Sequence, residues 1–229
     1  MGFSLQQVED GDVAELVRVH SRAFKTDQFS NFMLSGKPPG THESLMERSI
    51  RAWLSDPTVW MVKAVNDDDG AVVGWVCWLT KTMDKATTQA RPETKGKSPP
   101  NVETQPDNTT ESRPPPSQEV TPDAPTRVVS RQMRQDTMRW EEDSMTENTY
   151  LVLQGLATSP EYQCQGIGSQ LVKWGVDRAD TSELACWCHA SPAGNQLYLK
   201  AGFQELGSSE YDLGDFGKYT FRYMVRRAA

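Results

Sequence analysis

The run Ser159-Pro160-Glu161-Tyr162-Gln163-Cys164-Gln165-Gly166-Ile167-Gly168-Ser169 follows a continuous apolar segment, Tyr150 to Thr158. It precedes a stretch in which Ile167, Leu171, Trp174 and Val176 point inward while Gln170, Lys173 and Asp177 point outward. Unbroken apolar character marks a central strand covered on both faces, and the later spacing is helical, so the glycines sit where a strand turns into a helix N-terminus. Such a junction presents backbone N–H groups that lack intrahelical partners, at the positive end of the helix dipole. Glycine there lets an anion approach the main chain, and the chemistry implied is phosphate or pyrophosphate binding. Two nucleotide motifs are excluded. The dinucleotide fingerprint needs a third glycine where Leu171 stands, and a Walker loop needs Gly-Lys-Ser/Thr where this chain has Gly168-Ser169-Gln170.

Gln163, Gly166 and Gly168 instead match the pattern Gln/Arg-x-x-Gly-x-Gly/Ala, with Pro160 and Tyr162 ahead of it. Downstream, Glu183 to Ala190 alternates as a strand, and Ser191 then reads as an N-cap with Pro192 at the first helical position of a short helix that stops at Gly202-Phe203. This second block ends Tyr-x-x-x-Gly-Phe from Tyr198. In order and spacing, loop and block resemble the two signatures of the GNAT N-acetyltransferase superfamily, over roughly Phe3 to Val225, the specific motifs lying between Tyr150 and Phe203.

The resemblance implies an α+β or α/β architecture of GNAT type: a mixed, mostly antiparallel sheet with helices on both faces and central strands that splay apart to admit a pantetheine arm. It implies acetyl-CoA as cosubstrate and no metal. The coenzyme contacts would come from Leu156, Ala157 and Thr158 of the strand, Gln163, Cys164, Gln165, Gly166, Ile167, Gly168 and Ser169 of the loop, and Asn195, because Ser191 stands where many relatives place an asparagine. Tyr198 takes the place of the tyrosine whose hydroxyl points at the coenzyme sulfur and is the implied general acid. Gly155, inside the apolar run, reads as a bulge or a close backbone approach; a bulge would leave main-chain groups of Leu156 and Thr158 free to pair with pantetheine amides.

Acyl transfer to an amine also needs a proton acceptor. Relatives commonly use a glutamate from the central strand, where this chain has Leu153-Gln154 and no carboxylate. The candidates are then Glu142, with Glu141 and Asp143 beside it, or His189 at a strand end. Cys186-Trp187-Cys188-His189 invites a metal, but strand alternation sends His189 to the face opposite both thiols, and the four cysteines read as reduced.

The remaining elements must hold these residues. Phe3 to Val8 alternates as an edge strand, and Val13, Leu16, Val17, His20 and Phe24 recur with helical spacing. A helix fits His42 to Leu54, a hairpin fits Val59–Val65 and Ala71–Leu79 around an Asn-Asp-Asp-Asp-Gly turn, a helix stripe from Val129 to Trp140 ends in the acidic Glu141-Glu142-Asp143, and two strands close the chain between Glu205 and Arg226. From Lys81 to Arg139 there is no aromatic residue, and nine of the fourteen prolines fall between Pro92 and Pro125. Residues 86–126 therefore read as a disordered insertion within a single domain.

Across 229 residues, 24 Lys and Arg stand against 31 Asp and Glu, a net charge of −7, with the basic residues scattered. That composition argues against phosphate-driven nucleic-acid binding and favours a cationic partner. The sequence offers neither a membrane span nor a signal core, which suits a cytoplasmic, or also nuclear, protein. The function expected is direct acetyl transfer from acetyl-CoA to a small-molecule or peptide amine in a ternary complex. A coenzyme A-binding sensor or scaffold, or an acyltransferase with another acyl donor or an oxygen acceptor, are the alternatives.

Overall fold

The computed structural model describes residues 2–83 and 124–228. One seven-stranded sheet organises the chain, in the order β1-β2-β3-β4-β5-β7-β6. β1 (Phe3–Gln7), β2 (Val59–Asn66), β3 (Val72–Thr82) and β4 (Thr149–Thr158) form an antiparallel meander, β5 (Ala185–Ala190) joins β4 in parallel, and β6 (Gln204–Asp212) and β7 (Lys218–Arg226) complete an antiparallel edge. The sheet is thus mixed and mostly antiparallel, as expected, and helices cover both faces. Among the described residues no helix is long and apolar enough to cross a membrane.

Side-chain parity separates the two faces. Trp75, Cys77, Ala157, Tyr150, Val152, Trp187 and Tyr223 face the layer formed by α1 (Val13–Ala23), α2 (Gln28–Leu34), α3 (Thr41–Leu54) and α4 (Pro125–Ser144), here called the front. Val76, Trp78, Leu151, Leu153, Cys186, Cys188 and Met224 pack on the back against α5 (Ile167–Thr181) and α6 (Asn195–Lys200). Burying both faces of β3 and β4 is what makes their sequences read as continuous apolar runs.

The hairpin, the edge strand, the long helix α3 and the two closing strands fall where the sequence places them. Three elements differ. α2 carries only a short apolar pattern; it forms because Asp27 accepts the Ser30 N–H at 2.8 Å as an N-cap and Phe32 is buried. α4 runs on through the acidic residues to Ser144, because Glu141 is not a solvated turn residue but a buried one, accepting from Tyr150 Oη at 3.0 Å and Lys81 Nζ at 2.8 Å. α6 begins at Asn195 rather than directly after Ser191, whose hydroxyl accepts the Gly194 N–H at 3.2 Å in a preceding turn. The insertion read at 86–126 lies outside the described residues except for Ala124 to Thr126, and Pro125 and Thr126 already belong to α4.

Candidate active site

The β4–β5 ladder holds only three residue pairs, Tyr150–Ala185, Leu151–Cys186 and Val152–Trp187. Beyond them the strands part, leaving Leu153 and Gly155–Thr158 paired to β3 alone and Cys188–Ala190 to β7 alone. This is the splayed slot. The β3–β4 register shifts between Cys77 and Trp78: Cys77 faces Gly155 and Trp78 faces Leu153, so the bulged residue is Gln154 rather than Gly155. The extra residue resets the alternation, turning Gly155 and Ala157 to the front. Gly155 is a close approach instead, since a Cβ there would lie 3.1 Å from the Trp75 ring.

The glycine loop sits at the end of β4. Cys164 (φ 60°) and Gly166 (φ 86°) are both left-handed, separated by Gln165, and the first backbone bond of α5 runs from Gln170 N–H to the Gly166 carbonyl. The N–H groups of Ile167, Gly168 and Ser169 therefore point out of the helix end. A Cβ on Gly166 would meet nothing within 4 Å, so the space beside the loop is open. Gln163 and Gln165 do not line it with free amides: Gln163 Nε2 donates to the Thr158 carbonyl at 3.0 Å and Gln165 Nε2 to the Glu161 carbonyl at 2.9 Å, fixing the loop. The Thr158 carbonyl is accordingly engaged and not free for a pantetheine amide. The side chains of Ile167 and Ala157 are buried in the core, so those residues can offer main chain only, whereas Cys164 and Ser169 are exposed. Asn195 Oδ1 is buried without a partner, an acceptor that a ligand donor would satisfy. An open cradle of N–H groups, a parted pair of strands and an orphaned amide oxygen fit a coenzyme with a pyrophosphate and an amide-bearing arm.

On the back wall Tyr198 is 6 % exposed and tilted against Phe203 at 5.9 Å. Burial, and then the nearby Cys188 thiol, push its hydroxyl well above the ordinary tyrosine range, so it stays protonated, and it makes no hydrogen bond among the described residues.

A family model described as the acetyltransferase (GNAT) domain matches residues 136–205, from α4 through the loop to the start of β6. The chain is therefore similar, over this segment, to the acetyltransferase (GNAT) domain. Over 86 residues it is 31 % identical to the uncharacterized N-acetyltransferase YitI of Bacillus subtilis, covering 37 % of this chain and 57 % of that one, so it spans little more than half the length of that curated relative. The GNAT fold recurs in the arylalkylamine N-acetyltransferase 2 of Aedes aegypti, with a TM-score of 0.67 at 11 % identity and 100 % of both chains covered. A Corynebacterium glutamicum structure described as histone acetyltransferase HPA2 and related acetyltransferase superposes with a TM-score of 0.58 at 20 % identity, over 100 % of this chain and 98 % of that one. At these identities the structures speak to fold alone.

Around the slot, the proton acceptors expected from the sequence are unevenly placed. Glu142 is exposed on α4, and Glu141 beside it is tied to Tyr150 and Lys81. His189 lies on the front of β5, opposite Cys186 and Cys188 as strand alternation requires, with its ring 5.3 Å from Phe221; burial lowers its pKa against a smaller opposing pull from Glu141. Trp75 and Trp78 are fully buried on opposite faces, and Trp60 lies beneath the Arg178 guanidinium at 4.2 Å, two strands away from β4.

On the front face one pair of titratable residues meets where helical spacing alone reads packing. His20, on the last turn of α1, places Nδ1 3.0 Å from Nε2 of His42, on the first turn of α3. Its ring stacks on Phe24 at 4.4 Å and on Trp75 at 5.9 Å. Burial, and then His42, hold the His20 imidazole down at about 3, so it is neutral near pH 7. The signal available in the sequence was two of the three histidines on neighbouring helices, without any indication that they meet.

Proposed function

We propose that this chain is an N-acetyltransferase that takes acetyl-CoA and an amine into one slot and transfers the acetyl group directly. The observation that carries the reading is the left-handed loop Gln163–Gly166, which presents the α5 N-terminus at the open end of the β4–β5 split. The loop N–H groups of Ile167, Gly168 and Ser169 would hold the pyrophosphate, with the helix dipole favouring its charge. Unpaired main chain of β4 beyond Leu153 would receive the pantetheine arm by strand-like hydrogen bonds. When bound, the coenzyme supplies an activated acetyl thioester. Bulging at Gln154 turns the backbone there out of its ladder, where an N–H can stabilise a developing oxyanion. Tyr198, protonated and free of other hydrogen bonds, donates to the departing sulfur.

The front mouth carries Phe24, Phe29 and Phe221, which suits a primary amine on an apolar or aryl body, the class named for the Aedes aegypti enzyme. Calorimetric titration with acetyl-CoA, followed by thiol release with a panel of arylalkylamines, polyamines and lysine or N-terminal peptides, tests the reading. Binding with thiol release supports it and ranks the acceptors. Binding without release from any amine favours a coenzyme A sensor, and absence of binding withdraws the assignment of the loop.

A further inference from the structure

The transferase reading leaves the proton of the acceptor ammonium without a receiver. Resting on that reading, we propose that His20 accepts this proton and His42 passes it to solvent, the two imidazoles forming a relay at the front mouth of the split.

The α1–α2 connection places His20 at this mouth. At one end of the connection, His20 stacks on Trp75, whose ring lies 3.1 Å from where a Gly155 Cβ would be. At the other end, Asp27 Oδ1 accepts from Tyr219 Oη of β7 at 2.7 Å, and Phe29 meets Phe221 of β7 at 5.3 Å. The connection therefore crosses the front of the parted strands β4 and β5, with His20 just before the crossing. No carboxylate on β4 competes for the role, since the bulged residue is Gln154.

The orientation of the rings suits a relay. Among the described residues His20 Nε2 and His42 Nδ1 have no hydrogen-bond partner, yet neither is a sealed atom, so each end of the pair is open. The inner nitrogens are bonded to one another, which leaves one free nitrogen on each ring.

Charged neighbours do not compete. On α1 Glu15 pairs with Arg18, and Arg22 pairs with Glu161 of the loop; on α3 Glu47 pairs with Arg51. Lys25, Glu43 and Arg48 are exposed; of the ionisable groups of β3 on this face, Lys81 pairs with Glu141 and Cys77 has its thiol pushed up to about 12 by burial. His20 thus has His42 as its principal ionisable neighbour, and the 3.0 Å contact between their inner nitrogens is the path by which a proton is handed on.

The proton balance is complete. Between ammonium and amide the nitrogen sheds two protons. One moves to His20 Nε2 while the His20 Nδ1 proton passes to His42 Nε2, and His42 Nδ1–H releases its proton to water. The other replaces the proton that Tyr198 gives to the coenzyme sulfur.

The test uses the full chain with its best acceptor amine. His20→Gln is expected to lower kcat at least tenfold with acetyl-CoA affinity unchanged, and His42→Gln to lower it three- to tenfold; both should change the acidic limb of the kcat/KM–pH profile. Added imidazole should restore at least threefold of the rate lost in His20→Ala. His42→Gln, at a half-buried first-turn site, keeps the test decisive if the His20 variants do not fold. Parent-like rates and pH profiles in the variants would overturn the relay while leaving the transferase standing. Absence of turnover by the parent with every amine would overturn both.

Discussion

Gly175 of α5 lies against the indole of Trp78 so closely that a Cβ there would fall 2.1 Å from Trp78 Cε2. Trp78 is fully buried in the middle of β3, paired across the sheet with Trp60 and Leu153. The contact sets how deeply α5 seats on the back of the sheet, and with it where the helix N-terminus stands relative to β4. Gly175→Ala overpacks this seat and is expected to cost about 1–3 kcal/mol, read as a lower denaturant midpoint, with weaker acetyl-CoA binding because the loop is carried along. An unchanged midpoint would show that the indole has room to move.

Gly166 differs from Gly175 in having space but not conformational freedom. Its φ of 86° is reached by β-branched residues only with strain, while the direction of the missing Cβ is open. Gly166→Val should destabilise the chain by about 1–2 kcal/mol and remove detectable coenzyme binding. Gly166→Asn, which tolerates the left-handed region, should recover the stability and not all of the binding. Calorimetry and thermal unfolding on the two variants separate the backbone effect from the blocked cradle.

Tyr198→Phe removes a hydroxyl with no protein partner, so the fold loses little. Turnover should fall at least tenfold while the dissociation constant for acetyl-CoA stays within a factor of two. A parent-like rate would take the acid role from Tyr198 and leave it a core aromatic beside Phe203.

How much the sequence discloses depends on the range of the interactions. The Gly166–Gly168 loop, the hairpin and α3 announce themselves because turn chemistry and periodicity act within a few residues. The β4–β5 divergence is not readable in either strand, since each looks like an ordinary buried strand until the register is known. Placing the bulge at Gln154 needs both β3 and β4, and Gly155 is small because of Trp75, eighty positions earlier in the chain. Glu141 looks like a solvated acid until Tyr150 and Lys81 close around it. The His20–His42 contact joins residues 22 apart through helix packing, which no local pattern encodes.

The same contact predicts a pH dependence of stability. In the unfolded chain His20 titrates near 6.5, and in the fold it is held down at about 3, so between those values the unfolded state binds the extra proton. Stability contributed by keeping His20 neutral is therefore complete above about 6.5 and is lost as pH falls toward 3, with a slope of up to about 1.4 kcal/mol per pH unit. His189, also lowered by burial, acts in the same direction. Glu147 and Asp180, whose folded pKa values lie below 4.5 and 3.8, lose their contributions only at more acidic pH. Chemical denaturation at pH 7.5, 6 and 5 should show the parent weakening across this window and His20→Gln weakening less. Parallel curves for the two proteins would mean that the unfolded and folded states hold His20 alike, and that its burial does not govern its charge.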